Sequence, residues 1–198
     1  MPKLTRRGVI VGLSALPASL AVAQPAPFRI RGRIQAVDGA LLTVAAREGG
    51  AVAVRLGDAT VVSLRRVSLA ELAPGTRLGV VAEPAGEGLR AVAVTVLPPT
   101  ATRDFQSPWD LSEGSSMNNG AVSAVLQRAQ GAELVLSING RDVPVRIDEG
   151  SALVRPVPAA REDLRPGAAV FVNAAREADG TLVAQRVTVE KDGVAPPT

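Results

Sequence analysis

From Arg29 the chain alternates with a period of two: Arg29, Arg31, Arg33 and Gln35 are interleaved with Ile30, Gly32, Ile34 and Ala36. That pattern predicts a strand with one face toward a core and one toward water. Asp38-Gly39 is a hairpin turn, and Leu41 to Ala46 is the returning strand. Val52, Val54 and Leu56 form the inward face of a third strand. Ser68-Leu69-Ala70-Glu71 has the form of a capping box that opens one short helical turn, ended by Pro74-Gly75. Two further strands are predicted near Arg77 to Glu83 and Leu89 to Leu97.

The same order then recurs. "VRLGDATVV" from Val54 is answered by "VRIDEGSALV" from Val145, "ELAPGT" from Glu71 by "DLRPGA" from Asp163, and "LRAVAVTV" from Leu89 by "LVAQRVTV" from Leu182. The offsets of 91, 92 and 93 residues drift by single insertions, which reads as a duplication. Strand, strand, strand, short helix, strand, strand is the order of an OB-like barrel, which hides its sheet edges by partial closure. The expected fold is all-β: two tandem small OB-like β-barrels, each with one short helical turn. The first is placed at residues 28–99 and the second at 118–191, with a joining segment at 100–117 and a mobile tail at 192–198.

The joining segment holds "SPWDLSEGSSMNNG", Ser107 to Gly120, in a chain with only four aromatics, Phe28, Phe105, Trp109 and Phe171. Two of the four lie in or beside this polar stretch, and Met117 is the one methionine after the first residue. Small barrels filled with Val, Leu and Ala gain from extra apolar cover. Phe105 and Trp109 are therefore expected to dock the segment against one or both barrels, with Pro108 holding Ser107 extended. Asn118, Asn119 and Gly120 are read as the turn into the second unit. The candidate junction or ligand surface comprises Phe105, Trp109, Asp110, Glu113, Ser115, Met117 and Asn119. Asp110 and Glu113 beside Ser112, Ser115 and Ser116 have the oxygen chemistry of a hard-cation site, without the spacing of a calcium loop. As a pair of carboxylates they also fit a polysaccharide hydrolase or lyase. Capping of a turn by Asp110 and the serines is the plainer account. Likewise, the Arg29, Arg31 and Arg33 stripe reads as a charged wet face that discourages edge pairing, or as a surface for an acidic envelope polymer.

Composition removes most other chemistry. The chain has no cysteine, histidine or tyrosine, which excludes thiolate nucleophiles, disulfides, the usual zinc sites and Ser-His-Asp arrangements. The formal charge of +3 is supplied by Lys3, Arg6 and Arg7, leaving 19 basic and 19 acidic residues from Gln24 onward. A neutral chain with one phenylalanine per barrel lacks both the field and the stacking platforms that nucleic-acid binding uses. No catalytic residue, metal ligand or cofactor site is assigned.

The first 23 residues have the three parts of an export signal: a basic stretch ending in Arg6-Arg7, an apolar run from Gly8 to Leu20, and the small-x-small sequence Ala21-Val22-Ala23. Cleavage between Ala23 and Gln24 is expected. Thr5-Arg6-Arg7-Gly8-Val9-Ile10 is similar to the twin-arginine signal for folded proteins, and the general route stays open. The apolar run is shorter than the ~20 residues needed to span a bilayer.

"RIRGRIQAVDGALLTV", "LAPGTRLGVVA" and "ADGTLVAQRVTVEKDGVAPP" resemble the exported bacterial proteins grouped as DUF5666. "PWDLSEGSSMNNGAV" is similar to the joining motif of a proteobacterial set with two such units. The resemblance implies periplasmic export, a duplicated small barrel and no established activity. Members of that set sometimes carry a metal-transport permease label, which a chain with no predicted spanning helix and no soft metal ligand contradicts. The expectation is a non-enzymatic periplasmic binding or assembly module, partnered by an unidentified periplasmic protein or envelope component. The alternatives are a small-ligand or hard-cation carrier at the inter-barrel junction, and the hydrolase or lyase using Asp110 and Glu113.

Overall fold

Alternation becomes strand almost wherever it occurs. In the computed structural model, which describes residues 28–129 and 131–197, the first half of the chain forms β1 (Phe28–Asp38), β2 (Leu41–Ala46), β3 (Ala51–Arg55), β4 (Thr60–Arg66), β5 (Arg77–Ala85) and β6 (Gly88–Val96). A short strand β7 (Phe105–Pro108) leads into β8 (Ser116–Gln127), β9 (Ala132–Ile138), β10 (Arg141–Ile147), β11 (Ala152–Pro158), β12 (Ala169–Arg176) and β13 (Leu182–Val189). A single 3₁₀ turn precedes β5 (Leu69–Glu71) and another precedes β12 (Arg161–Asp163). At the first, Ser68 N–H donates to the Glu71 carboxylate at 3.1 Å, and at the second Ala160 N–H donates to Asp163 at 3.0 Å.

The pairing departs from two contiguous barrels. β8, β9 and β10 do not pair with the strands that follow them. They pair with β5 and β6 of the first half: β8 runs antiparallel to β5, and β10 closes the ring on β6 at Val145↔Leu89 and Arg146↔Arg90. This is a closed five-stranded barrel, hereafter ring two. Reciprocally, β1, β2 and β3 pair with β12 and β13, with β1 antiparallel to β12 and a parallel contact at Val183↔Arg55. These five strands are ring one. The expected boundaries 28–99 and 118–191 are corrected accordingly, because each ring takes three strands from one half and two from the other.

What carries the chain across are β4 and β11, which alternation in the sequence did not reveal. They cross antiparallel, Leu64 opposite Pro156, and join the rings as β6-β11-β4-β13. Their burial patterns lack a clean period of two: Val62, Ser63 and Leu64 of β4 are buried in succession, and in β11 only Val154 is buried. Both cores are consequently composite. One packs Leu78, Val80, Val94 and Val96 against Leu134, Leu136, Val145 and Ile147. The other packs Leu42, Val44, Val54 and Leu56 against Val170, Val172, Val187 and Val189. Neither half buries its own apolar face without the other.

Corresponding positions match closely. Val54 and Val145 are both fully buried, opposite Leu42 and Leu134. After Pro74 and Pro166, Gly75 and Gly167 turn at φ +84° and +88°, and their N–H groups donate to Val122 and Ile34 of the opposite half, each at 2.8 Å. Gly32 and Gly120 are required for a different reason. A Cβ there would lie 2.0 Å from the Ala45 carbonyl oxygen or 2.4 Å from that of Ser137, so only glycine lets β1 and β8 bend so closely over the next strand.

Two smaller expectations are also corrected. Asn118, Asn119 and Gly120 do not form a turn but lie within β8, where the Asn118 side chain is fully buried and donates to the Val80 carbonyl at 3.2 Å. The tail is folded as far as it is described. Asp192 and Gly193 turn at φ +52° and +72°, Lys191 bridges Val194, and Pro196 is buried.

Candidate functional site

The segment between β6 and β8 is tied down at several points. The Arg77 guanidinium of β5 donates to the carbonyls of Ala101 at 2.9 Å and Arg103 at 3.2 Å, and meets Asp104 at 2.6 Å. The other Asp104 oxygen accepts the Asn139 N–H, and that bond, with Arg77, holds its carboxyl below the usual range. β7 then adds to β8 from Phe105↔Asn119 to Pro108↔Ser116. From Trp109 the chain forms a loop closed on itself. Trp109 N–H donates to the Ser115 carbonyl at 2.8 Å, while the buried Ser115 hydroxyl sits within reach of the Trp109 and Ser112 carbonyls and accepts Ser112 N–H. Ser112 Oγ donates to Glu83 of β5 at 2.8 Å, fastening the loop to ring two.

The loop's far side reaches ring one. Arg31 of β1 donates both arms of its fork to Asp110, at 2.8 and 3.2 Å, and Arg29 lies 3.3 Å from the same carboxylate. The Arg29 guanidinium stacks on Trp109 at 3.8 Å from the ring centre. Arg31 sits between two rings, 5.9 Å from Trp109 and 4.9 Å from Phe171 of β12. It is only 2 % exposed, so Arg31 is not part of a wet stripe, whereas Arg33 two residues on remains exposed. Burial alone would raise the Asp110 pKa, but the bonds and charges of Arg31 and Arg29 outweigh it and the carboxyl is held below its ordinary value. Such a carboxylate is saturated with cations, which leaves little for a metal ion or for a proton to be delivered.

Between the rings, over the crossing of β4 and β11, lies a cavity of about 340 Å³. Phe105, Trp109 and Phe171 line it, so three of the chain's four aromatics converge there. The walls differ in chemistry. On the β5–β6 side stand Gly79, Val81, Ala93 and Thr95; on the β12–β13 side stand Phe171, Asn173, Arg186 and Thr188. Pro196 and Pro197 of the folded tail complete the lining. Arg186 remains solvent-exposed, desolvation of its inner part lowers its pKa, and among the described residues it pairs with no carboxylate. No aspartate or glutamate lines the cavity.

The structure thus brings together Phe105, Trp109, Met117 and Asn119 of the expected junction surface as cavity lining. It places Asp110 behind the wall as the partner of two arginines, and Ser115 inside the loop. Glu113 is exposed on the opposite side, in a shallow depression that Asp110 does not line. The two carboxylates therefore do not share a cleft. Among the described residues there is no cluster of three or more acidic, histidine or cysteine side chains, and no helix is long and apolar enough to cross a membrane. Arg6, Arg7, Ala23 and Gln24 lie outside the described residues. Sequence reading missed Phe171, Asn173, Arg186 and Pro196, because which outward positions face the other ring depends on the exchange; only the rarity of Phe171 was a signal.

Residues 119–188 match the family model described as Domain of unknown function (DUF5666). This stretch is similar to the DUF5666 family. No curated protein and no solved structure matches the chain. The matched stretch runs from β8 to β13, so it contributes three strands to ring two, crosses at β11, and gives two strands to ring one. The cavity lies at that crossing, and the DUF5666 stretch supplies its polar side.

Proposed function

We propose that the protein is an exported, periplasmic, non-catalytic binding module whose ligand site is the cavity between the rings. The observation that carries this reading is the cavity itself. It is concave and mostly apolar, it gathers three aromatics from a chain that has four, and a few polar groups punctuate it. Small-molecule sites have that make-up, and the volume falls within their usual ~300–1,000 Å³. The basic start, apolar run and Ala21-Val22-Ala23 support export with removal of residues 1–23. The recurring element order and matching buried positions support an ancestral duplication, and the ring order with its parallel closure supports OB-type barrels formed by exchange. The hydrolase and cation-carrier readings stand below this one, since Asp110 is held by two arginines and apart from Glu113.

The test is to purify the mature protein from periplasm and identify by mass spectrometry what denaturation releases. Val81→Phe, which fills the cavity from the β5 wall, serves as the control. The reading predicts a polypeptide beginning at Gln24 and a small molecule released by the wild type but not by Val81→Phe. Full-length chain in the membrane fraction would contradict the export reading. Identical small-molecule content in both proteins would contradict the site.

A further inference from the structure

Resting on the cavity reading, we infer that the site takes a soluble amphiphile with one short apolar chain or ring and a single anionic head, and that Arg186 receives the head. The lining sets the two halves of that description. Phe105, Trp109, Val81 and Met117 give a wall suited to apolar matter. Among the described residues, three guanidiniums, of Arg29, Arg31 and Arg186, stand at or beside the cavity against one side-chain carboxylate, Asp110. Their availability differs. Arg31 commits both arms of its fork to Asp110, and Arg29 is placed between that carboxylate and the Trp109 ring. Arg186 pairs with no carboxylate among the described residues, lines the cavity, and is flanked by Asn173 and Thr188, whose side chains add neutral hydrogen-bonding groups.

Arginine binds carboxylates and phosphate oxygens through a planar fork, and such bonds strengthen where water is partly excluded. A cationic ligand would meet only like charge. A neutral one would leave Arg186 to water and gain no charge-assisted bond from it. The volume lies at the small end for ligand sites, which favours one chain or ring over a two-chain lipid. The sequence fixes Arg186 as specific to this side of the junction: its counterpart across the junction, at the same place in the ladder, is Ala93, opposite Val81 where Arg186 is opposite Asn173.

Trp109 is the only tryptophan and tyrosine is absent, so emission from the full mature protein reports directly on the cavity wall. Titration with decanoate, decanol and decyltrimethylammonium, all below their micelle concentrations, separates charge from hydrophobicity. Decanoate is expected to bind about tenfold more tightly than decanol, with decyltrimethylammonium weakest. Arg186→Gln should bring decanoate down to the level of decanol, while Arg186→Lys retains most of the preference. Equal binding of decanoate and decanol, or an unchanged preference in Arg186→Gln, would overturn the assignment of the head group while leaving the cavity reading intact. Failure of all three probes to bind would overturn both. Binding to phosphatidylglycerol vesicles, with no response to decanoate, would place the anion in a membrane surface and contradict the soluble ligand.

Discussion

The two rings are alike inside and unlike where they face each other. Leu78, Val80 and Ala82 of β5 correspond to Val170, Val172 and Ala174 of β12, and all six are essentially fully buried. The intervening positions point outward, to the junction, and there the pairs diverge: Gly79 against Phe171, Val81 against Asn173, Ala93 against Arg186, and Asn119 against Arg31. A closed ring constrains its inward face by packing, where one methylene is felt. Its outward face is free to differ: one wall of the junction holds small and apolar residues with Thr95 and Asn119, while the other holds Phe171 with Asn173, Arg31 and Arg186. The difference gives the cavity between the rings two chemically unlike walls.

The largest effects should come from the faces that match. Leu42→Ala and Leu134→Ala, in the two composite cores, should each cost about 2–5 kcal/mol. Because each core draws on both halves of the chain, both variants should lower one and the same cooperative unfolding transition. Two separated calorimetric transitions, with each variant moving only one, would show that the rings are independent.

Next in size is the outward pair Arg31 and Asn119. Arg31→Met removes a buried guanidinium from between Trp109 and Phe171 and breaks two charge-assisted bonds, worth about 2–3 kcal/mol in denaturant titration. Asn119→Ala, at the corresponding place, should cost less than 1 kcal/mol as an exposed-site change of roughly ±0.5 kcal/mol grows only modestly with partial burial. The Asp110 pKa is lowered on folding, so the carboxylate's contribution is fully present above its unfolded value and is lost as pH falls through the folded one. The gap in stability between wild type and Asp110→Asn should therefore be constant near neutrality and close below about pH 4. A gap that persists in acid would show that the pairing with Arg31 and Arg29 is not what Asp110 contributes.

Trp109→Ala comes third, at about 1–3 kcal/mol, since the ring is half-buried and stacked under Arg29. Its emission should be intermediate in wavelength and partly quenched by acrylamide. Fully water-like emission would mean that the loop does not rest on ring one. The smallest effect belongs to Glu113→Gln, within about ±0.5 kcal/mol, because the side chain is exposed and outside the cavity. A large loss there would reopen a role for the two carboxylates together.

Period-two alternation in the sequence was enough to find β1, β2 and β3, and the Ser68–Glu71 capping box the turn that follows. Local chemistry sets those features. The scarcity of aromatics likewise marked Phe105 and Trp109 as docking residues, and the loop does touch both rings, through Ser112 and Asp110. What escaped was set by long-range pairing. β4 lacks alternation because successive residues on both of its faces are buried, and the partner of a barrel strand is decided by closure rather than by neighbouring residues. Hence the polar side of the cavity, which β12 and β13 bring from the other half, could not be read from the segment that holds Trp109.

The exchange of strands is the premise of the cavity and can be tested by cross-linking in a chain free of cysteine. Arg33 and Ala169 face each other across β1 and β12 with the Ile34 N–H to Ala168 carbonyl bond just beyond them, the arrangement of a non-hydrogen-bonded pair whose Cα atoms lie about 4.5 Å apart. That spacing admits a disulfide. Oxidation of Arg33→Cys with Ala169→Cys should give a monomeric cross-linked protein in high yield, and Arg33→Cys with Arg77→Cys should give none. A disulfide in the second variant and not in the first would mean that each half closes its own barrel, and the account of the junction would fail with it.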